Sequence, residues 1–215
     1  MDEAKEAGID IEALSFIITE PIQSIAVQQE IELVFLQTTV VVFTSMNAVE
    51  AVAFYQEETQ PAWEIYCIGA TTNKLAGKYF GEEKITGTAG DASSLAVLIA
   101  EDRFTDEVTF FCGDQRRGEL PEILREQDID VNEIIVYQTI AVPHKINKVY
   151  HGILFFSPSA VESFFRNNKL PGTTILFAIG NTTANEIKKY TTNKIITGDA
   201  PEKAALVKKM VEYFT

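Results

Sequence analysis

The 215-residue sequence predicts an α/β fold: two similar lobes, each a doubly wound parallel sheet. Three observations lead there. Short, continuous apolar runs alternate with segments of helical spacing. The chain writes several of its phrases twice, in the same order. The apolar runs close on short turns of Gly, Ser, Thr or Asn.

The runs TTVVVFTS, WEIYCIG, VTFFCG, GILFFS and TTILFAIG read as strands. An unbroken run of Val, Ile and Phe, unlike an alternating one, suits a strand covered on both faces, as in a parallel sheet. Helical spacing follows the strands. Ala48, Val49, Val52 and Ala53 share one face, as do Leu95, Leu98 and Ile99, and again Leu120, Ile123 and Leu124. Strand and helix in alternation make βαβ units.

The duplication is read from three matches. Phe43-Thr44-Ser45-Met46-Asn47-Ala48-Val49-Glu50 matches Phe155-Phe156-Ser157-Pro158-Ser159-Ala160-Val161-Glu162. IGATTNKLAGKY from Ile68 matches IGNTTANEIKKY from Ile179, and Gly90-Asp91-Ala92 matches Gly198-Asp199-Ala200. The offset is nearly constant at roughly 110 residues, too long for a solenoid repeat and right for two domains of similar fold.

The turns between strand and helix carry the candidate site. Asn47 to Glu50, Ser159 to Glu162 and Thr183 to Glu186 each read as a capping box. Ligands of open α/β sheets sit beyond the C-terminal strand ends, where free N–H groups and the positive helix end favour carboxylates or phosphates. The first lobe offers Thr44, Ser45, Asn47, Gly69, Thr71 and Thr72. The second offers Ser157, Pro158, Ser159, Gly180, Asn181, Thr182 and Thr183. Capping alone is the plainer account of any one turn. It does not require both lobes to keep Thr-Thr after Ile-Gly.

Gly113 ends a strand, and Arg116 and Arg117 follow it. They read either as a solvated helix start or as cations facing an anionic ligand. EIIVYQTIAV reads as a further strand containing Tyr137, where a tyrosine is ordinarily a packing residue.

Several classes are excluded. The net charge is −13, which argues against nucleic acid as a partner. No apolar run approaches the ~20 residues of a membrane span. The acidic start MDEAKEAGID has no secretory apolar stretch. No GxGxxG, no GxxxxGK followed by Ser or Thr, and no GxSxG occurs, so neither a nucleotide cofactor nor an elbow serine is expected. His144 and His151 lack a companion cluster, and no metal site is expected. Cys67 and Cys112 lie inside apolar runs and read as reduced core thiols of a cytoplasmic protein, with a disulfide as the alternative.

FTSMNAVEAV, IGATTNKL, FFCGDQRRGELPEILREQDIDVNEIIVYQT, FFSPSAVESFF, IGNTTANEIKKY and GDAPEKAALVKKMVEYF together resemble the uroporphyrinogen-III synthase family. They stand in the family's order and cover residues 9 to 215. The resemblance implies two α/β lobes joined by a two-stranded connector, with the active cleft between them. One lobe would run over residues 18–139, the other over 1–17 and 140–215. The connector would pair Phe16–Thr19 with Val136–Thr139. The family usually opens with a strand before its first helix, whereas MDEAKEAGIDIEALSF reads as the end of that helix. The composite lobe is therefore expected to lack its first strand.

The implied reaction is the dehydration and cyclisation of hydroxymethylbilane, a linear tetrapyrrole, with inversion of its terminal pyrrole to give uroporphyrinogen III. No cofactor is implied. The resemblance gives Tyr137 the catalytic role of assisting hydroxyl departure. It assigns Thr44, Ser45, Thr72, Ser157, Ser159, Thr182 and Thr183 to substrate binding. It further implies a cytoplasmic monomer that could take its substrate by handover from hydroxymethylbilane synthase. The rival reading is a non-catalytic two-lobed binding protein for a small polycarboxylate.

Overall fold

The computed structural model describes residues 2–56, 60–101, 105–200 and 202–215. In chain order the elements are α1 (Asp2–Glu6), β1 (Ile17–Pro21), α2 (Ile25–Phe35), β2 (Thr39–Phe43), α3 (Met46–Ala53), β3 (Trp63–Ile68), α4 (Ala70–Phe80), β4 (Ile85–Ala89), α5 (Ala92–Glu101), β5 (Glu107–Gly113), α6 (Glu119–Glu126), β6 (Asp130–Ala141), β7 (Gly152–Phe155), α7 (Pro158–Asn167), β8 (Ile175–Ala178), α8 (Asn181–Ile187), β9 (Ile195–Thr197) and α9 (Lys203–Phe214). They form two compact units: residues 19–139, and residues 1–18 with 140–215. The chain passes between the units within β1 and again within β6.

The larger unit is ordered β1-β6-β5-β2-β3-β4, and its pairs from β6 to β4 are parallel. β1 is antiparallel to β6: Ile22 N–H donates to Val136 O, and Val142 N–H donates to Phe16 O, a register that sets residues 16–19 beside 139–142 and not beside the expected Val136–Thr139. The unbroken apolar run of β2 is used on both faces. Val41 and Phe43 join the core under α2, α3 and α4, where Val49, Val52, Ala76 and Phe80 also sit. Val40 and Val42 join the opposite core, under α5 and α6, with Leu95, Ile99, Leu120 and Leu124. Phe43 stacks between Phe80 and Phe111, its centroid 5.7 and 5.6 Å from theirs. Buried Trp63 keeps its polar atom satisfied, its Nε1–H donating to Val34 O at 2.9 Å.

The smaller unit, among the described residues, has the parallel sheet β7-β8-β9. Val161, Phe164, Ala184 and Ile187 from α7 and α8 cover one face. Leu206 and Met210 of α9 cover the other, with Ile9 and Ile11 packed alongside. The duplication is structural. β2-β3-β4 and β7-β8-β9 share order and direction, and the first pair of each shares register: Phe43 lies beside Cys67, and the matched Phe155 lies beside Ala178. In the larger unit β5, α6 and β6 extend this shared motif on the far side of β2.

Both cysteines are free and buried. Cys67 belongs to the core on one face of the six-stranded sheet and Cys112 to the core on the other, so the sheet itself separates them and no disulfide forms. Burial pushes both thiols up to about 12. Among the described residues no helix is long and apolar enough to cross a membrane.

Candidate active site

Parallel strands place their C-terminal ends along one edge, and the candidate residues of the larger unit collect there. Thr44 and Ser45 follow β2, Gly69 follows β3, and Arg116 and Arg117 follow β5. Tyr137 stands on β6 opposite Gly113, the last residue of β5. In the smaller unit Ser157 follows β7 and Gly180 nearly follows β8, again at neighbouring strand ends.

The helix starts differ from the expected capping boxes. The first cap is Ser45, whose hydroxyl accepts from Asn47 N–H at 3.1 Å; Asn47 lies inside the helix. Likewise Ser157 caps α7, accepting from Ala160 N–H at 3.2 Å, while Ser159 is helical and Pro158 takes the first turn. Gly180, not Thr183, precedes α8, and no side chain caps it. The chain turns into each helix two or three residues sooner than the boxes require. Glu50, Glu162 and Glu186 therefore fall beyond the reach of the first amides. The matched glycines also differ: Gly69 sits at φ +82°, a conformation that favours glycine, whereas Gly180 is extended.

The paired threonines divide by direction. Thr72 and Thr183 are 4% and 3% exposed and belong to the inward helix faces, whereas Thr71 and Thr182 are exposed beside them. The exposed members of the pairs, together with exposed Asn181, are the ones free to meet a ligand. Thr44, Ser45, Ser157 and Ser159 are half-buried.

Arg116 is an ion-pair partner of Glu133 on β6, and Arg125 holds the other oxygen of that carboxylate at 2.8 Å. Burial works against the Glu133 charge, but the hydrogen bonds from Arg116 and then Arg125 hold its pKa below the usual range. Arg116 is thus held within the protein, in a cluster where one carboxylate is shared by two guanidiniums. Among the described residues Arg117 has no such partner and is exposed, so it is the better placed cation for an anionic ligand.

Tyr137 is half-buried and packs against the core that holds Ile134 and Val136. Its ring lies over Gly113. A Cβ at that position would stand 2.7 Å from the phenol oxygen.

The family model described as uroporphyrinogen-III synthase HemD matches residues 1–208. The chain belongs to the uroporphyrinogen-III synthase family. Similar solved structures agree in fold. A uroporphyrinogen-III synthetase from Helicobacter pylori is 16% identical, with 95% of this chain and 93% of that chain covered, at a TM-score of 0.66. A mutant uroporphyrinogen III synthase from Thermus thermophilus is 12% identical, with 100% and 94% covered, at a TM-score of 0.65. Another Thermus thermophilus uroporphyrinogen III synthase is 14% identical, with 100% and 94% covered, at a TM-score of 0.52.

In this member of the uroporphyrinogen-III synthase family further residues stand beside the candidate ones. Sequence reasoning passed over Asp114, which bonds β6 at Tyr137 O and at Thr139 N–H. It matched Gly90-Asp91 with Gly198-Asp199 but did not place them at the site, although they follow β4 and β9 on the same strand-end edges. Asp91 caps α5, its Oδ1 accepting from Ser94 N–H at 2.8 Å. Asp199 instead meets Lys209 Nζ at 2.6 Å. The duplication itself was the signal that could have found them. The histidines stay outside the site. His144 Nε2 lies 3.1 Å from Ser15 O and its ring meets Phe16 edge-on. A hollow of about 250 Å³ lined by Val97, Ala100, Glu101, Ile123 and Gln127 lies on the α5–α6 flank, away from the strand ends.

Proposed function

We infer that this chain is a cyclising lyase of porphyrin and heme biosynthesis that converts hydroxymethylbilane into uroporphyrinogen III. The observation that carries the reading is the family match over residues 1–208. The linear tetrapyrrole loses its terminal hydroxyl as water. The terminal pyrrole is then inverted as the macrocycle closes. Ring closure is intrinsically easy, so the protein's work is to hold the chain in the conformation that inverts the ring and to help the hydroxyl leave.

Within that reading each compact unit is one lobe, with β1 and β6 as the connector. The substrate's carboxylates are taken by the strand-end turns. Unfilled amides at the starts of α3, α4 and α7 attract negative charge, and the hydroxyls of Thr44, Thr71 and Thr182 add donors. Arg117 adds a cation in a chain of net charge −13. Tyr137 carries the chemical step: its neutral phenol donates a hydrogen bond to the departing oxygen. The enzyme works as a cytoplasmic monomer and receives its substrate from hydroxymethylbilane synthase.

The test is to supply hydroxymethylbilane, oxidise the products and separate the uroporphyrin isomers. The type III isomer is expected above the uncatalysed background. Only type I from folded protein rejects the reading and leaves the binding-protein alternative.

A further inference from the structure

We propose that Asp114 is a positioning residue for Tyr137; this rests on the catalytic reading of that tyrosine. Alternation along β6 puts Ile134 and Val136 in the core beneath α2, α3 and α4, with Ile135 on the other face and partly exposed. By the same alternation Tyr137 belongs on the Ile135 side. It packs instead against the Ile134 and Val136 core. The register explains the break. Cys112 lies beside Ile135 but Gly113 beside Tyr137, so β6 carries one extra residue here. A bulge of this kind re-aims the side chain that follows it.

Asp114 grips β6 across that irregularity. Its N–H donates to Tyr137 O at 3.1 Å, and its Oδ1 accepts from Thr139 N–H at 2.9 Å. One exposed residue therefore fixes the backbone at and just after the tyrosine. Gly113 beside it leaves the space the ring fills. Asp114 acts through Tyr137, holding the phenol on the face toward which the bulge turned it. Preorganisation of this kind enters the rate and not the affinity, because the substrate's carboxylates are bound elsewhere.

The experiment is a double-mutant cycle, with activity expressed per folded molecule and the folded fraction read by circular dichroism. Tyr137→Phe is expected to lower kcat by about tenfold or more at similar KM. Asp114→Ala is expected to lower kcat by about tenfold at similar KM, and to add nothing in the Tyr137→Phe background. Asp114→Asn keeps an oxygen to accept from Thr139 N–H, so it is expected to restore most of the rate. A normal kcat for Asp114→Ala beside a slow Tyr137→Phe overturns the positioning role and leaves the tyrosine its own. Additive losses in the double variant also overturn it. A normal kcat for Tyr137→Phe removes the catalytic reading, and the proposal with it.

Discussion

The ring of Tyr137 fills the space a side chain on Gly113 would need: an added Cβ would lie 2.7 Å from the phenol oxygen. The atoms it would meet are the far end of the tyrosine, which can swing, so Gly113→Ala should move the phenol before it unfolds the strand. The expected result is a kcat lowered by about tenfold with a denaturation midpoint near that of the unmodified protein. A large loss of stability with normal kcat in the folded fraction would show that the contact serves packing only.

Thr182 and Thr183 are adjacent on α8 yet differ in burial, the first exposed and the second 3% exposed. Thr182→Val should weaken substrate binding, visible as a raised KM, with stability changed by less than about 0.5 kcal/mol. Thr183→Val should register chiefly in the denaturant midpoint. The reverse pattern would exchange their roles.

Ser45 and Ser157 are matched by the duplication and cap the matched helices α3 and α7. Each change to Ala should cost about 1 kcal/mol of stability, measured by urea unfolding. Changing Asn47 or Ser159, which lie past the caps, should cost clearly less. Equal costs would restore the box reading.

Glu133 holds Arg116 and Arg125 and titrates below the ordinary carboxylate range. Its folded value is lower than its unfolded one, so the unfolded state binds the extra proton as pH falls. The stability it contributes is fully present above the unfolded value of about 4.3 and is lost as pH drops through the folded value. Glu133→Gln should destabilise the protein by roughly 1 kcal/mol near neutral pH and flatten this acid limb of the unfolding profile. An unchanged acid limb would assign the effect elsewhere.

With both thiols pushed up to about 12 and sealed in opposite cores, the native protein should resist thiol reagents at pH 8. Only about one molecule in ten thousand would carry a thiolate at either position even if reached. Labelling with and without denaturant checks this, and rapid labelling of the native form would contradict the burial.

The α/β class and its parallel strands follow from short-range information. Continuous apolar runs such as VVVF and TFFC, each followed by helical spacing, need no knowledge of partners to be read. The duplication gave the strand-end turns, because the same phrases at matched positions mark the same place in each copy. The edge strands Ile85–Ala89 and Ile195–Thr197 were missed. They are short and border a single neighbour, so they lack the apolar signature of a covered strand. Four matters were decided only by the tertiary structure: which residue caps each helix, which threonine of each pair turns inward, that Arg116 is already paired with Glu133, and that Tyr137 leaves the alternation of its strand. The reason is common to all four. Pattern and period are properties of neighbours along the chain, whereas where a helix begins, which side is covered and which charges meet depend on how elements pack against one another. Here one extra residue in β6 sets Tyr137 against the core of Ile134 and Val136.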